Sequence, residues 1–208
     1  QLDTKKYSVK LFDKKKTVGR KFLVAGEGGL NLTYNTTLDD LIDQYFPRAF
    51  MASIISQFTN QDLVTWLKSH DISTFTGSSN RVFPEMGIKP IEVLNKITAI
   101  ISAKEIEFQL DTKWEGWNKE GQLCFEHIED VASDIVVFAL GGASWKVTGS
   151  DGSWKNCFEK QGLRVQPFQA ANCAFEVDWN ENFIAIHEGK PLKNIALSFE
   201  NQFSKGEL

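Results

Sequence analysis

The chain has 208 residues, of which 42% are hydrophobic, and its formal net charge is −4. That length allows one substantial hydrophobic core, and the mild acidity excludes the basic footprint of a nucleic-acid-binding protein. No apolar run is long enough to span a bilayer, so we expect neither a nucleic-acid nor a membrane partner.

Three cysteines, Cys124, Cys157 and Cys173, lie far apart in the sequence and form no C-x-x-C motif. An odd, sparse set is not a disulfide framework and is typical of the reducing cytoplasm. Cys124 and His127 have the spacing of metal ligands, but no second pair completes the four ligands of a structural zinc site. We therefore expect a cytoplasmic protein without a metal site.

The first predicted element is a strand over residues 7–12, with Asp13 at its carboxyl end. In dinucleotide-binding βαβ units, an acid ending the second strand binds ribose hydroxyls about 20 residues after a G-x-G-x-x-G turn. Only 12 residues precede Asp13, which leaves no room for a first strand and its turn. An equally good interpretation is that Asp13 caps a turn before the three lysines 14–16.

A glycine-rich stretch follows at residues 19–33 and contains the adjacent cations Arg20 and Lys21. Glycines let a backbone approach a ligand closely, and the two cations could bind phosphate. Asn31 and Thr33 add side-chain hydrogen-bonding groups. Composition alone favours a glycine-rich surface loop with solvated cations.

The middle of the chain is predicted to be mainly helical. Segments with helical spacing or helix-start signals are residues 38–46 before Pro47, 60–68 capped by Thr59 or Asn60, and 90–103 opening at Pro90. Residues 49–58 are mostly apolar and are expected to be buried. Residues 74–84 are predicted to form a polar loop.

The second half is predicted to be richer in strands. The predicted strands are residues 105–112, a hairpin of 114–117 and 123–127, a buried parallel strand at 135–140, strands within 165–179, and 195–199 without an obvious partner. A helix is predicted from about residue 152 to 160, capped by Ser150 or Asp151 and closed by Gly162.

The strand at 135–140 runs directly into Gly141 and Gly142. Open α/β sheets bind ligands beyond the carboxyl ends of their strands, and a helix amino terminus beside a glycine turn binds anions. An ordinary strand–turn–helix joint explains the same pattern.

Six stretches, taken in this order, resemble the bacterial BaiN-like FAD-dependent oxidoreductases, also called YhiN-like or aminoacetone-oxidase-like flavoproteins. They are GRKFLVAGEGGLNLT at 19–33, GSSNRVFP at 77–84, ALGGASW at 139–145, TGSDG at 148–152, ANC at 171–173 and GKPLK at 189–193. Each stretch is weakly specific alone, but the ordered set spans most of the chain.

The resemblance implies an α/β fold with α+β elements, namely a partial FAD-binding Rossmann-like domain of the glutathione-reductase type. It implies an incomplete FAD-binding domain over residues 1–188, with a helical excursion at about 36–104 and an antiparallel meander at about 105–130. Residues 189–208 would begin an inserted β-rich domain. The chain would then be an internal fragment, lacking the family's amino-terminal G-x-G-x-x-G unit and its carboxyl-terminal half.

The resemblance also implies a set of FAD-binding residues. Asp13 would hold the adenosine ribose, Arg20 and Lys21 would lie beside the phosphate and ribityl groups, and Trp114 would follow a strand whose backbone touches adenine. Arg81 would be structural or face the substrate. The full set of implied cofactor-binding residues is Asp13, Arg20, Lys21, Ala25, Gly26, Gly28, Gly29, Asn31, Trp114, Leu140, Gly141 and Gly142.

The implied activity is transfer of a hydride or electrons between bound FAD and a small organic substrate or NAD(P)H. No residue stands out as a catalytic acid or base, and Glu27 is best interpreted as a solvated loop acid. Two alternatives remain: a non-catalytic flavin- or nucleotide-binding module, and a truncated remnant without cofactor. Self-association through exposed sheet edges is compatible with the sequence but is not indicated by it.

Overall fold

The computed structural model describes residues 3–24, 29–149, 151–169, 176–190 and 192–206. The strands are β1 (Lys10–Phe12), β2 (Thr33–Tyr34), β3 (Thr74–Thr76), β4 (Arg81–Pro84), β5 (Glu107–Gln109), β6 (Trp114–Trp117), β7 (Leu123–Phe125), β8 (Ile195–Phe199) and β9 (Gln202–Gly206). The helices are α1 (Arg20–Val24), α2 (Leu38–Asp43), α3 (Arg48–Ile55), α4 (Asn60–Ser69), α5 (Pro90–Ser102), α6 (Lys155–Lys160) and α7 (Glu181–His187), with a 3-10 turn at Lys146–Thr148. Within these described ranges, no helix combines the length and the apolar character needed to cross a bilayer.

The chain is an α/β protein that divides into two compact units. The first unit contains Gln1–Gly28 and Pro90–Ala171, and the second contains Gly29–Lys89 and Asn172–Leu208. The predicted domain bounds, with a division after residue 188, stay a prediction.

A parallel strand pair is the centre of the first unit. β1 and β5 pair in parallel with Leu11 opposite Phe108, so two predicted strands are confirmed, although both are shorter than expected. Parallel pairing needs a crossover connection, which here includes the predicted and confirmed helix α5. α1 packs on α5 at Gly19 (φ +69°), where a Cβ would lie 2.6 Å from both methyl carbons of Leu94. Val93 of α5 is fully buried.

The predicted hairpin of β6 and β7 is confirmed as an antiparallel pair. Its turn is held by the Asn118 side-chain oxygen, which accepts hydrogen bonds from the backbone N–H groups of Glu120 and Gln122. The ring of Phe12 on β1 stacks on Phe125 of β7, with centroids 4.3 Å apart. This contact packs the hairpin against the parallel pair.

The second unit contains a three-stranded antiparallel sheet in the order β2-β4-β3 and the helices α2, α3 and α4. The predicted start of α4 is confirmed, because Thr59 and Asp62 form a reciprocal capping box. Asn60 is buried, and its amide donates to the carbonyl oxygens of Tyr34 (2.7 Å) and Thr36 (3.0 Å). These two hydrogen bonds hold the end of β2 and the residues just after it against the start of α4.

The prediction of a polar loop at residues 74–84 is wrong, because β3 and β4 form a hairpin there. Asn80 adopts a positive φ of 59° and its N–H donates to the Gly77 carbonyl, which closes the turn. Phe75 and Phe83 then lie opposite each other, with ring centroids 5.8 Å apart. Turn-forming residues dominate the composition of residues 74–84, so the composition of this segment does not indicate its two short strands.

The prediction of a buried parallel strand at residues 135–140 is also wrong. No strand is assigned there, and the side chains of Ile135 and Val137 are 68% and 80% exposed. A continuous apolar run becomes a buried strand only when neighbouring strands and covering helices enclose it. Among the described strands, none pairs with this segment.

Three further predictions need correction. Residues 49–58 are not buried, since Phe50 in α3 and Phe58 after it are exposed. In residues 165–179, the described parts 165–169 and 176–179 form no strand, while residues 170–175 lie outside the described residues. The predicted strand at 195–199 is confirmed as β8, but it does have a partner, the antiparallel β9.

Candidate functional site

The carboxyl end of β1 positions Asp13. Its backbone N–H donates to the Gln109 carbonyl, and its own carbonyl accepts from the Thr112 N–H, which continues the pairing with β5 by one residue. The Asp13 side-chain atom Oδ1 accepts from the Lys15 N–H at 2.8 Å. Asp13 therefore caps the turn before the lysines, and among the described residues its Oδ2 atom has no hydrogen-bond donor. The ribose-binding role stays a prediction that this free oxygen permits.

Arg20 and Lys21 lie in α1 and not in the predicted surface loop. The helix starts after Gly19, and the Leu23 N–H donates to the Gly19 carbonyl at 3.0 Å. Within the described chain, no residue forms a hydrogen bond or ion pair with the exposed Arg20 side chain. Lys21 Nζ donates to Ser144 Oγ at 2.7 Å. An ammonium has three N–H donors, and among the described residues only Ser144 accepts from Lys21, so two donors are left for a ligand.

The glycine turn at Leu140, Gly141 and Gly142 belongs to the same unit as Asp13, Arg20 and Lys21. Gly141 has φ +72°, and its carbonyl accepts from Trp154 Nε1 at 3.0 Å. A Cβ on Gly142 would meet nothing within 4 Å, so the backbone there is open to close approach.

Besides the Lys21–Ser144 contact, an ion pair joins the lysine-rich segment after β1 to the segment after the glycine turn. Lys14 Nζ lies 2.8 Å from Asp151 Oδ2, and both side chains are only about one-third exposed. Asp151 Oδ1 accepts from the backbone N–H and the hydroxyl of Ser153, so the carboxylate is held on both oxygens. The Lys14 ammonium, and then the two Ser153 hydrogen bonds, hold the pKa of Asp151 well below its usual range against the opposing effect of burial.

The ion pair makes stability depend on pH in the acid range. Because the folded-state pKa of Asp151 is depressed, its stabilisation is present above the unfolded-state pKa, near 3.9, and is lost as the pH falls below it. We expect Asp151→Asn to lower the free energy of unfolding by about 1 kcal/mol at pH 7, a modest value because the pair is partly solvated. In urea titrations, this difference should narrow as the pH drops below about 4.

Asp134→Asn is the matched control, since the exposed Asp134 side chain forms no hydrogen bond or ion pair with any described residue. It should change the free energy of unfolding by less than about 0.5 kcal/mol at every pH. A difference between Asp151→Asn and the unsubstituted protein that stays constant from pH 7 to pH 3 would contradict the role of the ion pair.

Trp114 lies in an aromatic cluster rather than on an open surface. The rings of this cluster are Trp114, Trp117, Phe138, Trp154, Phe158 and Phe168, with neighbouring centroids 4.8–5.7 Å apart. Trp114 Nε1 is buried and has no hydrogen-bond partner among the described residues. Its ring is therefore used in packing, and any contact to a cofactor would be made by the backbone, as the resemblance implies.

The structure does not test the remaining predicted residues at this site. Gly29 and Asn31 belong to the second unit, where Gly29 (φ +105°) packs on Phe83. Ala25, Gly26 and Gly28 lie outside the described residues.

A cavity elsewhere in the first unit contains none of the predicted site residues. It has a volume of about 270 Å³ and lies at the amino-terminal side of β1 and β5, lined by residues 4–9, Lys104 and Glu105. This is the end of the strands opposite to Asp13, so we place the site at the carboxyl ends. In the described part of the chain, no three His, Cys, Asp or Glu side chains cluster as metal ligands.

No sequence pattern indicated Lys14 as the partner of Asp151, and Asp151 was predicted only as a helix cap. That prediction is wrong, because α6 starts at Lys155 and Asp151 holds the preceding turn through Ser153. Ser150, the other predicted cap, lies outside the described residues. The available signal was only local: the cations 14–16 follow the predicted strand at 7–12, and the glycines 149 and 152 lie beyond the apolar run at 135–140.

Comparison with known protein families gives a match over most of the chain. Residues 1–190 match the family model described as "HI0933-like protein Rossmann domain". The match contains both segments that the Lys14–Asp151 and Lys21–Ser144 contacts join.

Proposed function

The chain belongs to the HI0933-like Rossmann domain family, an FAD-binding family, and from this premise we propose that it forms part of a flavin-dependent oxidoreductase. The observation that carries the proposal is the contact of Lys21 Nζ with Ser144 Oγ, 2.7 Å long. It brings a cationic segment at the end of β1 to an open glycine turn, and a nucleotide cofactor needs both.

The residues present fit the chemistry of FAD. Residues 13–21 contain five cations and one acid in a chain whose net charge is −4. Lys14 is neutralised by Asp151, while Arg20 and Lys21 have N–H donors that no described residue uses and that suit a pyrophosphate. The Asp13 Oδ2 atom, which accepts from no described residue, suits a ribose hydroxyl, and the backbone at Gly142 allows close contact.

When bound, FAD would supply hydride or electron transfer. The chain's own residues would bind and orient it: Asp13 by accepting from the ribose, Arg20 and Lys21 by pairing with phosphate, and Gly142 by leaving room. The organic substrate or NAD(P)H as the other reactant and the bacterial BaiN-like specificity rest on the resemblance and are part of this proposal. The proposed cytoplasmic location rests on the sparse cysteines.

Lys21→Ala tests the proposed phosphate contact. Because a charge-assisted hydrogen bond is lost, the dissociation constant for FAD should rise about tenfold. Isothermal titration calorimetry of the chain with FAD measures this directly. The stability of the cofactor-free protein should change little, since the Lys21 side chain is exposed.

Lys16→Ala is the matched control, because it removes the same charge from the same segment. The Lys16 side chain is 81% exposed and its ammonium lies 3.8 Å from Asp111. It should leave the dissociation constant within about twofold, as expected for a solvated charge. Equal effects of the two variants would mean that Lys21 acts only through net charge, and the proposed contact would be wrong.

A further inference from the structure

The helix α3 is apolar on two faces, but only one is covered. Met51, Ala52 and Ile55 are half-buried, and α3 packs against α2. Phe50 and Ile54, one turn apart on another face, are 64% and 48% exposed. A helix that is hydrophobic on all sides is normally buried on all sides, so the second face calls for a partner.

Two more exposed aromatic residues flank the helix, each four residues along the chain from Phe50 or Ile54. Phe46 before α3 is 95% exposed, and Phe58 after it is 53% exposed. We call Phe46, Phe50, Ile54 and Phe58 the apolar stripe. Its exposed area is on the order of 500 Å², because an aromatic side chain carries about 150–250 Å². That equals the largest apolar patch of a typical monomer and more than half of the roughly 800 Å² that each partner buries in a stable complex.

The charged residues around the stripe indicate which kinds of partner could bind there. Arg48 is the only charged residue between positions 44 and 58, and its guanidinium is held by Asp43 and, at 3.7 Å, by Asp39. Asp40 adds another acid on α2. An anionic lipid surface or a nucleic acid would be repelled by this acidic border. A second copy of α3 brings no unpaired charge to the stripe.

We propose that the apolar stripe is a homodimer interface in which α3 packs antiparallel against α3 of a second copy. A two-fold axis makes the contact self-complementary, so that Phe50 of each copy faces Ile54 of the other. Residues at i and i+4 form the ridges used in the commonest helix–helix packing, with an interaxial angle of about −50°. The antiparallel arrangement places the acids of the two α2 helices at opposite ends, about 12 Å apart for an eight-residue helix and beyond the screening length of about 8 Å.

Sedimentation equilibrium of the full chain over a micromolar concentration series tests the proposal. The unsubstituted chain should be a concentration-dependent dimer. Phe50→Glu should raise the dimer dissociation constant at least about a hundredfold, because it places a charge at the centre of an apolar contact. Ile54→Glu should act in the same way. Far-UV circular dichroism should stay unchanged, because both side chains are exposed in the single chain.

Met86→Glu is the matched control, because Met86 is 86% exposed in the same unit but lies outside the stripe. It should leave the dissociation constant unchanged. A monomer at every concentration, or a dimer insensitive to both stripe variants, would overturn the proposal. So would binding of the unsubstituted chain to phosphatidylcholine vesicles that Phe50→Glu abolishes, because the stripe would then face lipid.

Discussion

Replacing Gly152 by alanine is expected to lower the free energy of unfolding by about 3 kcal/mol, among the largest effects of any single methyl group in this chain. Gly152 has φ +69°, where a side chain costs about 1–2 kcal/mol. A Cβ there would also lie 2.7 Å from Phe168 Cε2 and 2.9 Å from the Cβ of Ala143. Phe168 can swing away, but the Ala143 Cβ is fixed to the backbone beside the glycine turn.

Comparison with Gly162→Ala separates the backbone strain at Gly152 from its steric overlap with Phe168 and Ala143. Gly162 has a similar φ of +77°, but a Cβ there would meet no atom within 4 Å. Gly162→Ala should therefore lower the free energy of unfolding only by the cost of placing a side chain at a positive φ, about 1 kcal/mol. Urea unfolding of both variants followed by tryptophan fluorescence gives the comparison. Equal losses would mean that the packing of residues 141–152 is looser than described.

Phe158→Ala is expected to lower the free energy of unfolding by a similar amount, about 3 kcal/mol. The Phe158 ring lies 5.1–5.6 Å from the rings of Phe138, Trp117, Trp114 and Trp154. Several of these pairs are edge-to-face, a geometry worth about 0.5–1.5 kcal/mol each beyond the buried area. The substitution should also loosen α6, whose neighbour Trp154 holds the Gly141 carbonyl.

Leu163→Ala provides the control for Phe158→Ala, because Leu163 is 53% exposed just beyond α6. It should cost less than about 1 kcal/mol. Thermal unfolding and near-UV circular dichroism should both distinguish the variants, since only Phe158→Ala changes the packing of tryptophans. A loss below about 1 kcal/mol for Phe158→Ala would show that the aromatic cluster does not stabilise the first unit.

Elements with local signals could be predicted from the sequence. The capping residue Thr59 and the helix-opening Pro90 mark α4 and α5, and the turn at Asn118 marks the β6–β7 hairpin. The secondary structure or burial of segments that depend on distant neighbours could not be predicted in this way. Residues 135–140 and α3 are apolar in the same way as buried elements, and only the tertiary structure shows which of their faces are covered.

The same distinction between local signals and distant contacts applies to the candidate site. Asp13 and Gly141–Gly142 were predicted from the sequence because each follows an apolar run, where α/β sheets place ligand-binding residues. Their binding role stays a prediction, and the run before Gly141 is not a strand in the structure. The Lys14–Asp151 and Lys21–Ser144 contacts were not, since their partners are 137 and 123 residues apart. No local pattern predicts a pairing over such distances.

If this chain contributes an FAD-binding site, the visible absorption spectrum of the chain reconstituted with FAD should show it. The chain would be unfolded, refolded with excess FAD, separated from free cofactor and scanned. We expect a retained oxidised-flavin band that bleaches on addition of NAD(P)H or an organic reductant. A retained band that neither reductant bleaches would favour the non-catalytic binding module. A folded chain that retains no flavin would show that the proposed FAD-binding site is wrong.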